Sequence, residues 1–291
     1  MDMSMSYTSL SLADHETVKK ALQKLPAVFD LQTISNILRD NVPTEVLNLL
    51  SSTVVDKKRV PIQWERKGID LYTLGAKKVS VHQLLEAWTK ERCYLSYSSA
   101  LIEHGFMERK SSSDIYLSQD LHVRKSEAKE INLDAMEKSF SRSPRISNCN
   151  GLLKDKRIYF IEKKVGGEGV VRKEIKLKTQ KVILQVTNVE RTLLDATISP
   201  FYSGGILSVL DAYKQAKLDL RRMSSIYTSL ALTYPYWQRV GFFLDLSGKT
   251  ELADKWYKFF GKAEIDFYLD HRYNKTWNFD ERWRIFHPPL G

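Results

Sequence analysis

Much of what this sequence says comes from what it has little of. No run approaches the roughly 18–20 consecutive apolar residues of a membrane helix, so the chain is not expected to span a bilayer. Residues 1–12 are rich in Ser and lack both a basic and an apolar stretch, so they read as a loose tail and not as a signal peptide. The two cysteines, Cys93 and Cys149, are too few for a disulfide framework and have no metal-ligand spacing. They are expected to be a small buried residue and a loop residue in a reducing, cytoplasmic setting. His15, His82, His104, His122, His271 and His287 form no i, i+4 pair, which argues against zinc. The GxGxxG, GxxxxGK[ST] and HExxH patterns are absent. No cofactor, metal or catalytic residue is expected.

Acidic residues are also short. Asp plus Glu total 35 against 45 Lys plus Arg, a net charge of +10 that favours an anionic partner, nucleic acid before membrane. The alternative is a protein that is merely soluble and basic. With 43% hydrophobic residues over 291 positions, the chain can bury a core in one large domain or two to three small ones.

Residues 14–24, 30–38 and 44–50 have helical apolar spacing, with Asp14 and Asp30 as N-caps. Lys57, Lys58 and Arg59 lead into two β-like runs, 60–64 and 69–74, joined by Glu65-Arg66-Lys67-Gly68. Three short helices and a basic-tipped hairpin are the layout of a winged helix-turn-helix, predicted over residues 8–78. In it Thr44, Asn48, Ser51 and Ser52 would face bases, while Lys57, Lys58, Arg59, Arg66 and Lys67 would meet phosphates. Residues 1–78 hold 11 bases against 9 acids, only +2, so most of the basic excess lies further on.

The rest, 79–291, reads as a mixed α/β domain, giving an α+β fold overall. Helical stripes at 81–88 and 94–104 could belong to either part. A strand is predicted at 115–117, and residues 121–150, with Ser139, Ser141, Ser143 and Pro144, look like a linker. Strands follow at 158–161, 170–177 and 182–186, helices at 189–196, 206–216, 223–232 and 237–247, and a strand-like end at 283–287. Lys163, Lys164, Arg172, Lys173, Lys176 and Lys178 would make a basic surface on the hairpins. Asp155 and Glu162-Lys163-Lys164 approximate the carboxylates and lysine of a Mg²⁺-dependent nuclease, the enzymatic alternative, although any charged hairpin produces that spacing.

The run 186–195, Val-Thr-Asn-Val-Glu-Arg-Thr-Leu-Leu-Asp, has a reason for each polar residue without chemistry. Asn188 caps a helix, Arg191 and Asp195 pair one turn apart, and Leu193 and Leu194 face the core. Pro200 stops that helix and Gly204-Gly205 turn into the next. On this reading Leu194→Ala opens a cavity, and Asp195→Asn costs much less.

That run, with Pro200 and Tyr202-Ser203-Gly204-Gly205, resembles the AbiEi-type antitoxins of type IV toxin–antitoxin systems. Tyr94-Leu95-Ser96-Tyr97-Ser98-Ser99-Ala100-Leu101 with His104-Gly105 is similar to an upstream helix of that family. Gln238-Arg239-Val240-Gly241-Phe242-Phe243-Leu244 and Arg282-Trp283 are similar to later motifs, in the same order. The resemblance implies a non-enzymatic regulator associated with phage defence. It would bind inverted repeats of operator DNA through a winged helix and repress its own operon. Its C-terminal antitoxin domain would counter a nucleotidyltransferase-like toxin, often without a stable complex.

Overall fold

A computed structural model describes residues 28–29, 55–60, 69–74, 80–89, 93–109, 114–120, 131–148, 150–153, 156–163, 168–176, 181–271 and 277–290. The chain is a mixed α+β protein of two compact units that divide after Trp88. The helical pair expected over 79–105 is split by that division, its first helix going to the first unit and its second to the other.

In the first unit, β1 (Val28–Phe29), β2 (Val55–Val60) and β3 (Ile69–Leu74) form an antiparallel sheet in the order β1-β3-β2. Helix α1 (Val81–Thr89) follows, its Leu84 and Leu85 buried, with Ser80 and Gln83 exchanging backbone-to-side-chain hydrogen bonds at its start. The tail and the three helices expected between residues 1 and 50 lie outside the described residues. The first hairpin strand does not begin at residue 60, as its apolar run suggested, but ends there. Register decides this: Val55 pairs with Leu74 and Val60 with Ile69, so the basic triplet lies inside the strand.

The second unit is built on a six-stranded sheet in the order β6-β7-β5-β4-β9-β8. Its strands are β4 (Tyr94–Leu95), β5 (Ile115–Asp120), β6 (Asn150–Leu153), β7 (Lys156–Lys163), β8 (Val170–Lys176) and β9 (Lys181–Thr187). β5 runs parallel to β7 and β4 to β9, and the other neighbours are antiparallel. One face carries Leu117, Ile158, Phe160, Leu184 and Val186, all buried, as strand alternation requires.

Residues 94–104 are not one helix. Ser96 is extended, its N–H donating to the Tyr116 carbonyl at 3.1 Å, and this pins Tyr94–Leu95 into the sheet. Helix α2 (Tyr97–Glu103) starts only after it and ends before Gly105, at φ 78°. The expected linker over 121–150 holds helix α3 (Leu133–Phe140), capped by Asn132 and buried through Met136 and Phe140 alone. Two apolar residues one turn apart seat it, too few to register as a periodic stripe.

The C-terminal half packs α4 (Val189–Ile198), α5 (Ile206–Gln215), α6 (Leu220–Ser229), α7 (Tyr236–Leu246) and α8 (Thr250–Phe260) around a core. That core includes Leu193, Leu194, Val209, Tyr213, Phe243, Trp256 and Trp283. Helix α8 is not among the elements expected from the sequence. A short sheet of β10 (Phe267–Tyr268), β12 (Ile285–His287) and β11 (Asn278–Asp280) closes the chain. No helix among the described residues is long and apolar enough to cross a membrane.

Candidate functional site

Among the described residues a dense polar constellation lies where α4 meets the central sheet. Asn188 accepts from the Arg191 N–H at 2.9 Å and so starts α4. The helix then presents Arg191 and Asp195 on one side, both buried, joined Nε to Oδ1 at 3.0 Å. Arg191 also donates to the Glu168 carbonyl at 2.7 Å and to the Tyr94 hydroxyl at 3.3 Å. Tyr94 in turn donates to Asp120 at 2.8 Å. From β7, Lys163 brings Nζ to 2.5 Å from the other Asp195 oxygen and lies 4.7 Å over the Tyr97 ring. Tyr97 itself holds φ 51°, a left-handed backbone that non-glycine residues seldom adopt.

Burial pushes the Lys163 ammonium down to about 8, even with Asp195 opposing it. Burial pushes the Asp195 carboxyl up, but Arg191 and then Lys163 outweigh it and hold the group below its ordinary value. The Tyr94 hydroxyl is raised, first by burial and then by Asp195. The carboxylate is thus shared by two cations, and the phenol stays neutral. Chemically the cluster is a clasp between helix and sheet. Among the described residues no group of three or more His, Cys, Asp and Glu could hold a metal ion.

The rest of the motif is similarly internal. Glu190, near the helix start, accepts from the Asp219 N–H at 3.0 Å and lies 3.6 Å from Arg222. Pro200 begins a 3₁₀ turn that closes on Gly204 and Gly205, both at positive φ. Arg239 on α7 is buried, and no carboxylate among the described residues is in hydrogen-bond contact with it. It donates to the carbonyls of Thr197, Ile198 and Tyr268, and the rings of Phe140, Tyr236 and Phe267 surround it at 4.8–5.0 Å. Tyr94, Tyr97, Asp120 and Arg239 were not among the expected site residues. Their signal was the unexplained polarity of otherwise apolar segments.

The expected site residues fall in different places. Thr44, Asn48, Ser51, Ser52, Arg66, Lys67, Asp155, Lys164 and Lys178 lie outside the described residues. Lys57, Lys58 and Arg59 are consecutive on β2. Arg172 and Lys176 are exposed on β8, an edge strand of the sheet. Lys163 and Lys173 are instead turned inward, because strand alternation and an available acceptor draw them there. Lys163 is 12% exposed in its ion pair, and Lys173 donates to the Glu103 carbonyl beside His104. Burial lowers the His104 imidazole, whose Nε2 is 2.7 Å from the Thr187 carbonyl. Glu162 points outward, away from the clasp that holds Lys163.

No protein-family model matches the chain, and no curated protein sequence matches it. The crystal structure of the RV2827C protein from Mycobacterium tuberculosis is similar, with a TM-score of 0.54 at 12% identity. The likeness covers 96% of this chain and 92% of that one, and at such identity it is a likeness of fold alone.

Proposed function

We propose that this chain is a DNA-binding antitoxin of the type IV kind, a cytoplasmic, non-enzymatic protein that represses its own operon and counters a nucleotidyltransferase-like toxin. The observation that carries the DNA-binding part is the β1-β3-β2 sheet, in which a short early strand pairs with a hairpin whose first strand contains Lys57-Lys58-Arg59. A winged helix places such a hairpin against the duplex backbone, and Arg66 and Lys67 lie between its two strands in sequence. The motif over 186–205 supports the antitoxin part as architecture: Asn188 starts the helix, Arg191 and Asp195 serve the clasp, and Glu190 accepts from the Asp219 N–H. Exposed Arg172 and Lys176 offer the second unit a smaller basic face.

A titration of the full chain onto its own upstream DNA, followed by anisotropy over a range of salt, tests the repressor claim. Sequence preference for an inverted repeat is the expected result, and its absence at every salt removes the claim. Co-expression with the neighbouring nucleotidyltransferase-like protein reads antitoxicity. Mg²⁺-dependent DNA cleavage lost in Glu162→Gln would instead establish the nuclease reading.

A further inference from the structure

Beside the ion-pair clasp, on the sheet face that carries Lys163, lies a pair of tyrosines, one of which, Tyr116, meets the Tyr97 ring edge-on at 6.5 Å. Tyr116 on β5 and Tyr159 on β7 are register partners, their rings 5.2 Å apart and only 10° from parallel. Both are half-buried. Behind them Tyr202 leans on Tyr116 at 5.4 Å and on Phe201 at 4.2 Å. Tyr202 is fixed in place, its hydroxyl accepting from the Ser147 N–H at 2.7 Å. Its ring therefore backs the pair and leaves the aromatic stack rigid.

Arg157 and Arg145 lie near this stack, as does the Asp114 carboxylate, which after burial does most to raise the Tyr116 hydroxyl. Arg157 lies one pleat repeat before Tyr159 on β7, so it shares that face, and it is exposed. Arg145 is also exposed, and its carbonyl accepts from the Tyr202 hydroxyl at 3.4 Å. On the outer side Tyr159 faces Asn150 of β6 across the ladder. Parallel rings on a sheet beside arginines match what an unpaired strand offers, flat bases to stack and phosphates to neutralise. A duplex does not offer the first of these, because its bases are already stacked on one another.

We propose that the Tyr116–Tyr159 face binds an unpaired nucleic-acid strand, a base stacking on the tyrosines and its phosphates meeting Arg157 and Arg145. This surface is separate from the duplex contact proposed for β2 and β3, and one can fail without the other.

The test uses the full chain and a labelled thymidine oligomer of about twelve nucleotides carrying 2-aminopurine near its centre, beside a duplex of the same length. The native chain should bind the strand and quench the 2-aminopurine. Tyr159→Phe should behave as the native chain, and Tyr159→Ala should weaken strand binding about tenfold or more and abolish the quench. Should the alanine variant fail to fold, Tyr159→Leu keeps bulk without an aromatic face and takes its place. Arg157→Ala should flatten the salt dependence by about 0.7 in log–log slope. Duplex affinity should be the same in all variants. No strand binding by the native chain, strand affinity indifferent to loss of the Tyr159 ring, or equal losses for strand and duplex would each overturn the proposal.

Discussion

Asp195 carries more of the fold than its place one turn from Arg191 suggested. Its carboxylate is 2% exposed and is shared by Arg191 and Lys163, so removing its charge strands two buried cations. Asp195→Asn should therefore cost about 3–5 kcal/mol, comparable to the ~2–5 kcal/mol expected for Leu194→Ala at a fully buried site. The smaller cost expected from sequence rested on the helical pair alone, and Lys163 arrives from a distant strand. The pH dependence carries the sign. A carboxyl held below its unfolded value contributes stability above that value and loses it as pH falls through the folded one. Urea midpoints of the native chain and Asp195→Asn should differ at pH 6 and converge on acidification below about pH 4. A constant gap would show that the charge is not what matters. Gly241 is a second such residue. A Cβ there would overlap the six-membered ring of Trp283, whose indole N–H is tied to Asp245 at 2.6 Å. Gly241→Ala should lower stability by about 1–3 kcal/mol in a thermal melt, with an unchanged melt showing that the ring can shift aside.

Helix α3 shows how an element can be both real and hard to read. Most of its exposed positions are polar, Leu133 and Ala135 excepted, and its neighbours are Ser, Pro and Arg, so composition alone resembles a connector. Yet Phe140 meets Phe267 at 5.1 Å, Tyr234 at 5.7 Å and the Arg239 guanidinium at 5.0 Å, far away in sequence. Phe140→Ala should cost about 3–5 kcal/mol by equilibrium denaturation, whereas a connector residue would cost almost nothing. Limited proteolysis should spare residues 133–140 while the native fold persists. The strands β8 and β9 and helices α4, α5 and α7 were legible because their apolar period is local, and α4 also has its Asn188 cap. The clasp, the Arg239 cage and the break at Ser96 were not, because their partners sit on other elements: Lys163 on β7, Phe267 on β10, Tyr116 on β5.

At the scale of the whole molecule the two units divide the proposed work, and charge makes the division measurable. The net +10 does not locate the DNA contact, because residues 1–78 contribute only +2 of it. Each phosphate contact removed should lower the salt slope of duplex binding by about 0.9. If one face of β2 meets the backbone, Lys57→Ala and Lys58→Ala should flatten that slope unequally, because neighbours on a strand face opposite ways, while the paired substitution Arg172→Ala and Lys176→Ala reports whether β8 shares the contact. Gly241→Ala provides the complement: its defect lies in the core of the second unit, so melting should fall while duplex affinity per folded molecule stays unchanged. An affinity that fell with the melt, with β2 intact, would mean that DNA recognition depends on the second unit and that the basic strand of the first is not sufficient.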